Sequence, residues 1–123
     1  MKHVLIVDDS ATMRRMVASS LRELKSVKFD EASSGLEAIE RLAVGKVDMI
    51  ILDLNMPDMH GMEVLQFIRG HQSLSLLPVM ILTTRGDSES RTEALEKGAS
   101  VYLTKPFDPR VLARHARDLL GLI

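Results

Sequence analysis

The chain has no cysteine, few aromatic residues and almost no net charge, and each absence excludes a class of protein. Without cysteine, its 123 residues can form neither a disulfide framework nor a thiolate metal site. Aromatic residues make up only 3% and the net charge is -1, so no aromatic and basic patch indicates nucleic-acid binding. No apolar run approaches the ~20 residues of a membrane span. We therefore expect no direct contact with nucleic acid and no membrane association.

The length fits one folded unit and leaves no room for a second. We expect residues 1–123 to form a single domain, and the 46% hydrophobic and 27% charged residues are typical of a soluble globular protein. The start, Met1-Lys2-His3, leads directly into an apolar run without a small-residue cleavage site. This favours a first strand over a signal peptide, and the cytoplasm is the expected location.

Five short apolar runs predict β-strands, and segments of helical periodicity separate them. The runs are Val4–Val7, Val27–Phe29, Met49–Asp53, Val79–Leu82 and Val101–Leu103. The first, third and fourth are apolar at consecutive positions, which is typical of strands that are buried on both faces. Alternation of strand and helix predicts an α/β fold with a parallel sheet and right-handed crossovers.

Four of the five helical segments carry an apolar stripe at helical spacing. The stripes are Met13, Met16, Val17, Leu21 and Leu24; Leu36, Ile39, Leu42 and Ala43; Val64, Leu65 and Ile68; and Leu112, Ala116, Leu119 and Leu120. Ser34 followed by Glu37 is the pattern of a capping box. The remaining segment, 88–97, is polar apart from Ala94 and Leu95, so we expect its helix to be held less firmly than the others.

Polar residues follow four of the predicted strands. Carboxyl ends of parallel strands lie along one edge of a sheet, where such folds bind ligands. The residues expected at this edge are Asp8, Asp9, Asp53, Thr83, Thr84 and Lys105. Each has an ordinary structural explanation by itself, such as a helix cap for Asp9, a surface ion pair for Lys105 or a β-branched strand position for Thr83. Their convergence favours a functional site.

Three carboxylates at one edge need a positive partner. Two unit charges ~4 Å apart repel by about 4 kcal/mol at an effective dielectric constant near 20. Oxygen ligands without histidine or cysteine favour Mg²⁺ over zinc or copper. Lys105 supplies a fixed positive charge, and the Thr83 hydroxyl with nearby backbone N–H groups suits a phosphoryl oxygen. The constellation therefore fits a hard divalent cation and an accepted phosphoryl group.

The same residues belong to motifs that span almost the whole chain. They are Val7-Asp8-Asp9-Ser10, Leu52-Asp53-Leu54-Asn55-Met56-Pro57 with Gly61, Leu82-Thr83-Thr84, Gly98-Ala99 and Lys105-Pro106-Phe107. In this order they resemble the receiver domain of two-component response regulators, and most of all the stand-alone chemotaxis regulators. The resemblance implies a doubly wound, flavodoxin-like domain with a five-stranded parallel sheet of order 2-1-3-4-5 and five helices.

The resemblance also implies a role for each site residue. Asp53 would accept a phosphoryl group from a histidine kinase, and Lys105 and Thr83 would hold the transferred oxygens. Mg²⁺ would be bound by Asp8, Asp9, Asp53 and the backbone carbonyl of Asn55. The Lys105-Pro106 peptide would be cis. Such a protein catalyses only its own phosphotransfer and dephosphorylation, and is not otherwise an enzyme.

The resemblance also implies that the charge of a phosphoryl group on Asp53 would change the conformation of the domain. Thr83 would move toward the phosphoryl group, and Tyr102 would fill the gap, so that the face of the fourth helix, fifth strand and fifth helix changes shape. A half-exposed strand tyrosine is the alternative for Tyr102. Thr84 is bulkier than the residue that is usual at its position, and with Arg85 and Asn55 it would tune the lifetime of the phosphorylated state. The alternative for Arg85 is a solvated loop residue.

Partners and competing functions remain open at this point. The resemblance implies a kinase as phosphodonor and a downstream protein, such as a flagellar motor switch or a phosphatase, with a monomer that can dimerise on phosphorylation. The alternatives are a receiver module of a longer transcriptional or enzymatic regulator, a flavin-binding protein, and a hydrolase with Asp53 as nucleophile. The acidic loop 8–12 argues against flavin phosphate, and no insertion suggests a substrate pocket. Methionines 56, 59 and 62 are assigned to packing and the four histidines to the surface.

Overall fold

The computed structural model describes residues 1–122, which form a five-stranded parallel sheet of order β2-β1-β3-β4-β5. The strands are β1 (Lys2–Val7), β2 (Val27–Ala32), β3 (Met49–Leu52), β4 (Val79–Thr83) and β5 (Val101–Thr104). All four pairings are parallel. The predicted fold class and strand order are therefore confirmed. Within residues 1–122, no helix is both long and apolar enough to cross a membrane.

Five α-helices connect and flank the strands. They are α1 (Ala11–Ser20), α2 (Gly35–Val44), α3 (Gly61–Gly70), α4 (Ser88–Glu96) and α5 (Pro109–Leu120), with a 3₁₀ turn at Gln72–Leu74. A side chain accepts a hydrogen bond from a first-turn N–H at every helix start, which satisfies one of the amides that have no partner within the helix. At α3 the acceptor is Nδ1 of His60, a role that the sequence did not reveal.

Two helical layers cover the two faces of the sheet. Residues Leu5 and Val7 of β1 pack in a core with α2, α3 and α4, whereas Val4 and Ile6 pack in a second core with α1 and α5. Successive strand residues point to opposite faces, so a strand covered on both sides must be apolar at every position. This explains the uninterrupted apolar runs of β1, β3 and β4.

Two of the predicted helix stripes are wrong in part. On α1, Met16 is 49% exposed because the core-facing positions are Met13 and Val17, four residues apart. The helix ends at Ser20, and Leu21 and Leu24 reach the core from the turn that follows. The stripes predicted for α3 and α5 are confirmed, since their residues lie in or against a core.

On α2 the predicted stripe has the wrong phase. Leu36 is 58% exposed and Ala43 is also exposed. The buried positions are Gly35, Ala38 and Leu42. The capping box is confirmed on its first half, since Ser34 Oγ accepts from Glu37 N at 3.1 Å. The Glu37 carboxylate, however, accepts from Ser33 N, one residue before the expected partner.

Candidate functional site

Three carboxylates meet at the carboxyl edge of the sheet, where β1 and β3 end side by side. The Asp53 N–H donates to Val7 O at 3.0 Å, which continues the pairing of β1 with β3 by one residue. Asp8 and Asp53 are buried and Asp9 is exposed. One carboxylate oxygen from each of the three lies within 4.8 Å of the others. The parallel register therefore brings together the acids that the sequence places at separate strand ends.

Lys105 supplies the positive charge at this edge. Its Nζ lies 2.7 Å from Asp8 Oδ2 and 3.3 Å from Asp53 Oδ2. Burial by itself would lower the pKa of Lys105, but the two carboxylates outweigh it and raise the pKa above its ordinary value. The peptide between Lys105 and Pro106 is cis, as expected. The distances place the Lys105 ammonium group in contact with the carboxylates of both Asp8 and Asp53.

Thr83 ends β4 beside the acids and is fully buried. Its hydroxyl accepts from Arg85 N at 3.3 Å, and the Asn55 side-chain amide lies 3.5 Å from it. The same amide donates to the Thr84 hydroxyl at 3.3 Å, and Asn55 N donates to Asp53 Oδ1 at 3.3 Å. Asn55 therefore bridges the loop after β3 and the loop after β4, and its backbone N–H contacts the Asp53 carboxylate.

Gly61 fixes the loop between Asp53 and α3. A Cβ at this position would lie 2.3 Å from the carbonyl oxygen of Asp53 and 2.7 Å from Cα of Leu54, distances that no side chain can tolerate. The Gly61 N–H donates to Leu54 O at 2.9 Å. The first turn of α3 can therefore pack directly against the backbone that carries the Asp53 carboxylate.

Asp58 is a supporting residue that the sequence analysis missed. Its carboxylate accepts from Leu36 N at 3.0 Å and from Gly35 N at 3.1 Å, which joins the loop after β3 to the first turn of α2. These hydrogen bonds, with the Leu36 bond the stronger, lower the pKa of Asp58. In the same loop Met56 and Met59 pack against the core and Met62 of α3 is buried, so the predicted packing role of the methionines is confirmed.

Arg14 supports Asp8 from α1. Its guanidinium donates to the Asp8 carbonyl at 2.6 Å and to Glu31 Oε1 at 2.7 Å. The Asp8 carboxylate also accepts from Ser10 N at 2.9 Å. Arg14 thus links the end of β1 to the neighbouring strand β2, and the sequence offered no local signal for this contact because Glu31 lies 17 positions away.

Tyr102 on β5 is 4% exposed, so the alternative of a half-exposed strand tyrosine is wrong. Its hydroxyl donates to the carbonyl of Arg85 at 2.5 Å. Burial, followed by the negative charge of Asp87, raises the pKa of Tyr102. The backbone of Arg85 thus contacts both the Thr83 hydroxyl and the Tyr102 hydroxyl. It connects β5 to the carboxyl edge of the sheet that carries Asp8, Asp9 and Asp53, which we call the acidic edge.

The donor set at the edge fits a magnesium ion. The three clustered residues offer carboxylate oxygens only, and such hard ligands suit Mg²⁺. A divalent cation would also offset the repulsion that Lys105 alone leaves between three carboxylates. The adjacent ammonium, hydroxyl and backbone N–H groups are the donors that a phosphoryl group requires. The arrangement can therefore neutralise and align a transferred phosphoryl group.

Comparison with known proteins identifies the family of the chain. Residues 4–117 match the family described as the response regulator receiver domain. The chain is 37% identical over 119 residues to a chemotaxis protein CheY homolog of Campylobacter jejuni, covering 96% of this chain and 92% of the relative. A putative response regulator from Chloroflexus aurantiacus superposes with a TM-score of 0.91 at 32% identity, covering 98% of each chain. The Mn²⁺-bound form of response regulator Rcp1 superposes with a TM-score of 0.88 at 26% identity, covering 100% of this chain and 97% of that one.

The match extends over nearly all of the described chain and includes every strand end that contributes to the acidic edge. Such proteins act in two-component signalling and are not enzymes in the usual sense. On its sequence, its strand order and its site, the chain belongs to the family of response regulator receiver domains.

Proposed function

We propose that the protein is a phosphorylation-activated switch of a two-component system, in which Asp53 accepts a phosphoryl group from a histidine kinase. The observation that carries the proposal is the surrounding of Asp53. Its buried carboxylate lies 3.3 Å from Lys105 Nζ and within 4.8 Å of oxygens of Asp8 and Asp9. An acceptor with fixed positive and metal-binding partners is what phosphoryl transfer needs, since the reaction depends on charge neutralisation and alignment.

In the transfer, a carboxylate oxygen of Asp53 attacks the phosphorus of a phosphohistidine on the kinase. The new O–P bond forms as the P–N bond breaks, and the electron pair of that bond stays on the imidazole nitrogen. Lys105 and the Thr83 hydroxyl hold the transferred oxygens. Asp8, Asp9, Asp53 and the backbone carbonyl of Asn55 would hold Mg²⁺, which neutralises charge on the phosphoryl oxygens when bound. The Mn²⁺-bound state of the relative Rcp1 supports a divalent cation here.

The output surface in this proposal is the face made by α4, β5 and α5. Thr83 turns toward the phosphoryl group and changes its contact with Arg85 N, and this rearranges the loop whose carbonyl accepts from Tyr102. Thr84 and Asn55, which are joined by a hydrogen bond, limit the access of water to Asp53 and so set the lifetime of the phosphorylated state together with Arg85.

The pathway is proposed to be chemotaxis or motility, because the Campylobacter relative is a chemotaxis protein. The downstream partner would then be a flagellar motor switch protein, and a phosphatase would return the switch to its resting state. We further propose that residues 1–123 act as one receiver domain in the cytoplasm, as a monomer that can dimerise on phosphorylation.

The direct test is the intact mass after incubation with acetyl phosphate, with and without Mg²⁺. The wild type should gain one phosphoryl adduct only with Mg²⁺, and Asp53→Asn should gain none. Asp118→Asn, which removes an exposed acid of α5, is the matched control and should be modified like the wild type. An adduct that persists in Asp53→Asn, or no adduct on the folded wild type with Mg²⁺, would overturn the proposal.

A further inference from the structure

Arg91 of α4 touches Tyr102 at two places. Its Nη1 donates to the Tyr102 carbonyl at 3.2 Å, and its guanidinium carbon lies 5.8 Å from the centre of the Tyr102 ring. The second distance is within the ~6 Å of a cation–π contact. Since the Tyr102 hydroxyl also donates to the Arg85 carbonyl, the residue is held at its backbone, its ring and its hydroxyl.

The contacts of Arg91 matter because α4 has few others. Only Ser90 and Ala94 of this helix are buried. Its first turn is capped by Asp87, whose carboxylate accepts from Ser90 N at 2.9 Å. Beyond its last turn, the Gly98 carbonyl accepts from the guanidinium of Arg69 at 2.8 and 3.0 Å. The cap thus ties α4 to the loop before it, and Arg69 ties the turn after it to α3. Of these three polar contacts, that of Arg91 is the one that joins α4 to β5.

We propose that Arg91 is a positioning residue that keeps Tyr102 in its buried position before any phosphoryl group arrives. In the unphosphorylated protein, the output surface then already favours the arrangement in which Tyr102 is buried. Phosphorylation increases the population of this arrangement further. This inference rests on the proposed function only in taking Tyr102 as part of the switch. The burial of the tyrosine itself is a property of the unmodified protein.

The charged groups that act on Tyr102 are Asp87, Arg85, Arg91 and Asp53. Arg91 and Asp87 belong to α4 and its cap, and Arg85 belongs to the loop after β4. The side chain of Arg85 lies 3.9 Å from Asp87, so this pair is nearly neutral and leaves Arg91 as the cation over the ring. The hydrogen bond of Arg91 goes to the backbone carbonyl of Tyr102, so the contact with the ring is the one that depends on the position of the side chain. Arg91 is exposed, and a cation–π contact at an exposed site shifts a two-state equilibrium by roughly twofold to fivefold.

Apolar packing is the competing explanation for the buried ring, because Tyr102 is part of the core that α2, α3 and α4 cover. The two explanations differ in what removal of Arg91 does. If packing alone holds the ring, the truncated variant keeps Tyr102 buried. If Arg91 holds the ring in place, the ring of the truncated variant spends part of its time in solvent.

The sequence offers a specific probe, since Tyr102 is the one tyrosine and there is no tryptophan. Intrinsic tyrosine fluorescence therefore reports on this side chain, and quenching by acrylamide measures its exposure. The variants are Arg91→Ala and Arg91→Lys, which keeps the charge but loses the planar fork. The matched control is Arg114→Ala, which removes an exposed arginine of α5.

In the unphosphorylated proteins, the quenching constant should rise severalfold in Arg91→Ala, less in Arg91→Lys, and not at all in Arg114→Ala. Acetyl phosphate with Mg²⁺ should bring Arg91→Ala back toward the wild-type value, which would show that the variant is folded and able to switch. Equal quenching of Arg91→Ala and wild type would overturn the inference, as would an equal rise in Arg114→Ala. If no protein gains an adduct but the order in unphosphorylated protein holds, the proposed function fails and the role of Arg91 in burying Tyr102 stands.

Discussion

The helices α4 and α5 flank the same strand, β5, and are held to it in different ways. From α5, Leu112, Ala113, Ala116 and Leu120 are buried against a core that includes Val101 and Leu103. From α4, one serine and one alanine are buried, on the side of Tyr102. Burial of apolar area is the dominant source of helix stability in proteins, so α5 is fixed by its core and α4 depends on polar contacts. The difference predicts that α4 moves more readily than α5.

Truncation of a leucine in each helix should give the largest difference. Leu112→Ala removes a fully buried side chain and should lower the free energy of unfolding by about 2–5 kcal/mol. Leu95→Ala on α4 is the matched control; its side chain is 41% exposed, and we expect a loss below about 1 kcal/mol. Urea denaturation followed by circular dichroism measures both. Similar losses in the two variants would mean that α4 is anchored by its apolar residues after all.

Loss of Arg69 should have an intermediate effect and should act on α4 more than on α5. Its guanidinium donates to the carbonyls of Gly98, Leu77 and Ser75, and Arg69→Gln leaves at least one of these acceptors unpaired. We expect a loss of about 1–3 kcal/mol in the free energy of unfolding. Hydrogen exchange should accelerate at the end of α4 and at the start of β4.

The matched control for Arg69→Gln is Arg110→Gln, which removes an arginine whose side chain is 92% exposed. It should leave both stability and exchange close to those of the wild type. If exchange accelerated equally in α4 and α5 of Arg69→Gln, the substitution would have destabilised the whole domain. This result would contradict a particular dependence of α4 on the contact between Arg69 and Gly98.

The pH dependence of α4 should give the smallest effect. Hydrogen bonds from Ser90 to Asp87 lower the pKa of Asp87 below its ordinary value of 3.8. A lowered pKa in the folded state means that the carboxylate stabilises the fold above pH 3.8, and that this contribution is lost as the pH falls through the folded pKa. The protection factors of α4 amides should therefore decrease below about pH 4, and Asp87→Asn should remove most of that decrease.

The control for the pH series is Asp108→Asn, which alters the corresponding cap of α5. Because the core anchors α5, its protection should change little when its cap is altered. Equal loss of protection in α4 and α5 on acidification would contradict the assignment of α4 stability to polar contacts.

Much of the fold was predictable because three of the five strands, β1, β3 and β4, carry a clear signal of their own. Strands covered on both faces must be apolar throughout, so β1, β3 and β4 stand out in the sequence. The faces of α1 and α2 that point to the core were harder to predict, because Met16 and Leu36 are apolar but lie next to the buried positions. A short helix with apolar residues on adjacent positions fits more than one orientation.

The acidic edge was predictable for the same reason as the strands, because parallel strands place their carboxyl ends together. The supporting contacts were not. Asp58 reaches the first turn of α2 across 22 residues, and Arg91 reaches Tyr102 across 11. Such contacts join elements whose relative positions are known only once the chain has folded. The sequence alone does not distinguish Asp58 and Arg91 from the aspartates and arginines of an ordinary solvated surface.

The most direct test of the account is hydrogen exchange of the protein before and after phosphorylation with acetyl phosphate and Mg²⁺. The account predicts that protection changes in α4 and around Tyr102 while α5 keeps its values, and that Asp53→Asn shows no change in either. Identical protection of α4 in the two states, with the adduct present on Asp53, would contradict the claim that this helix responds to the acidic edge.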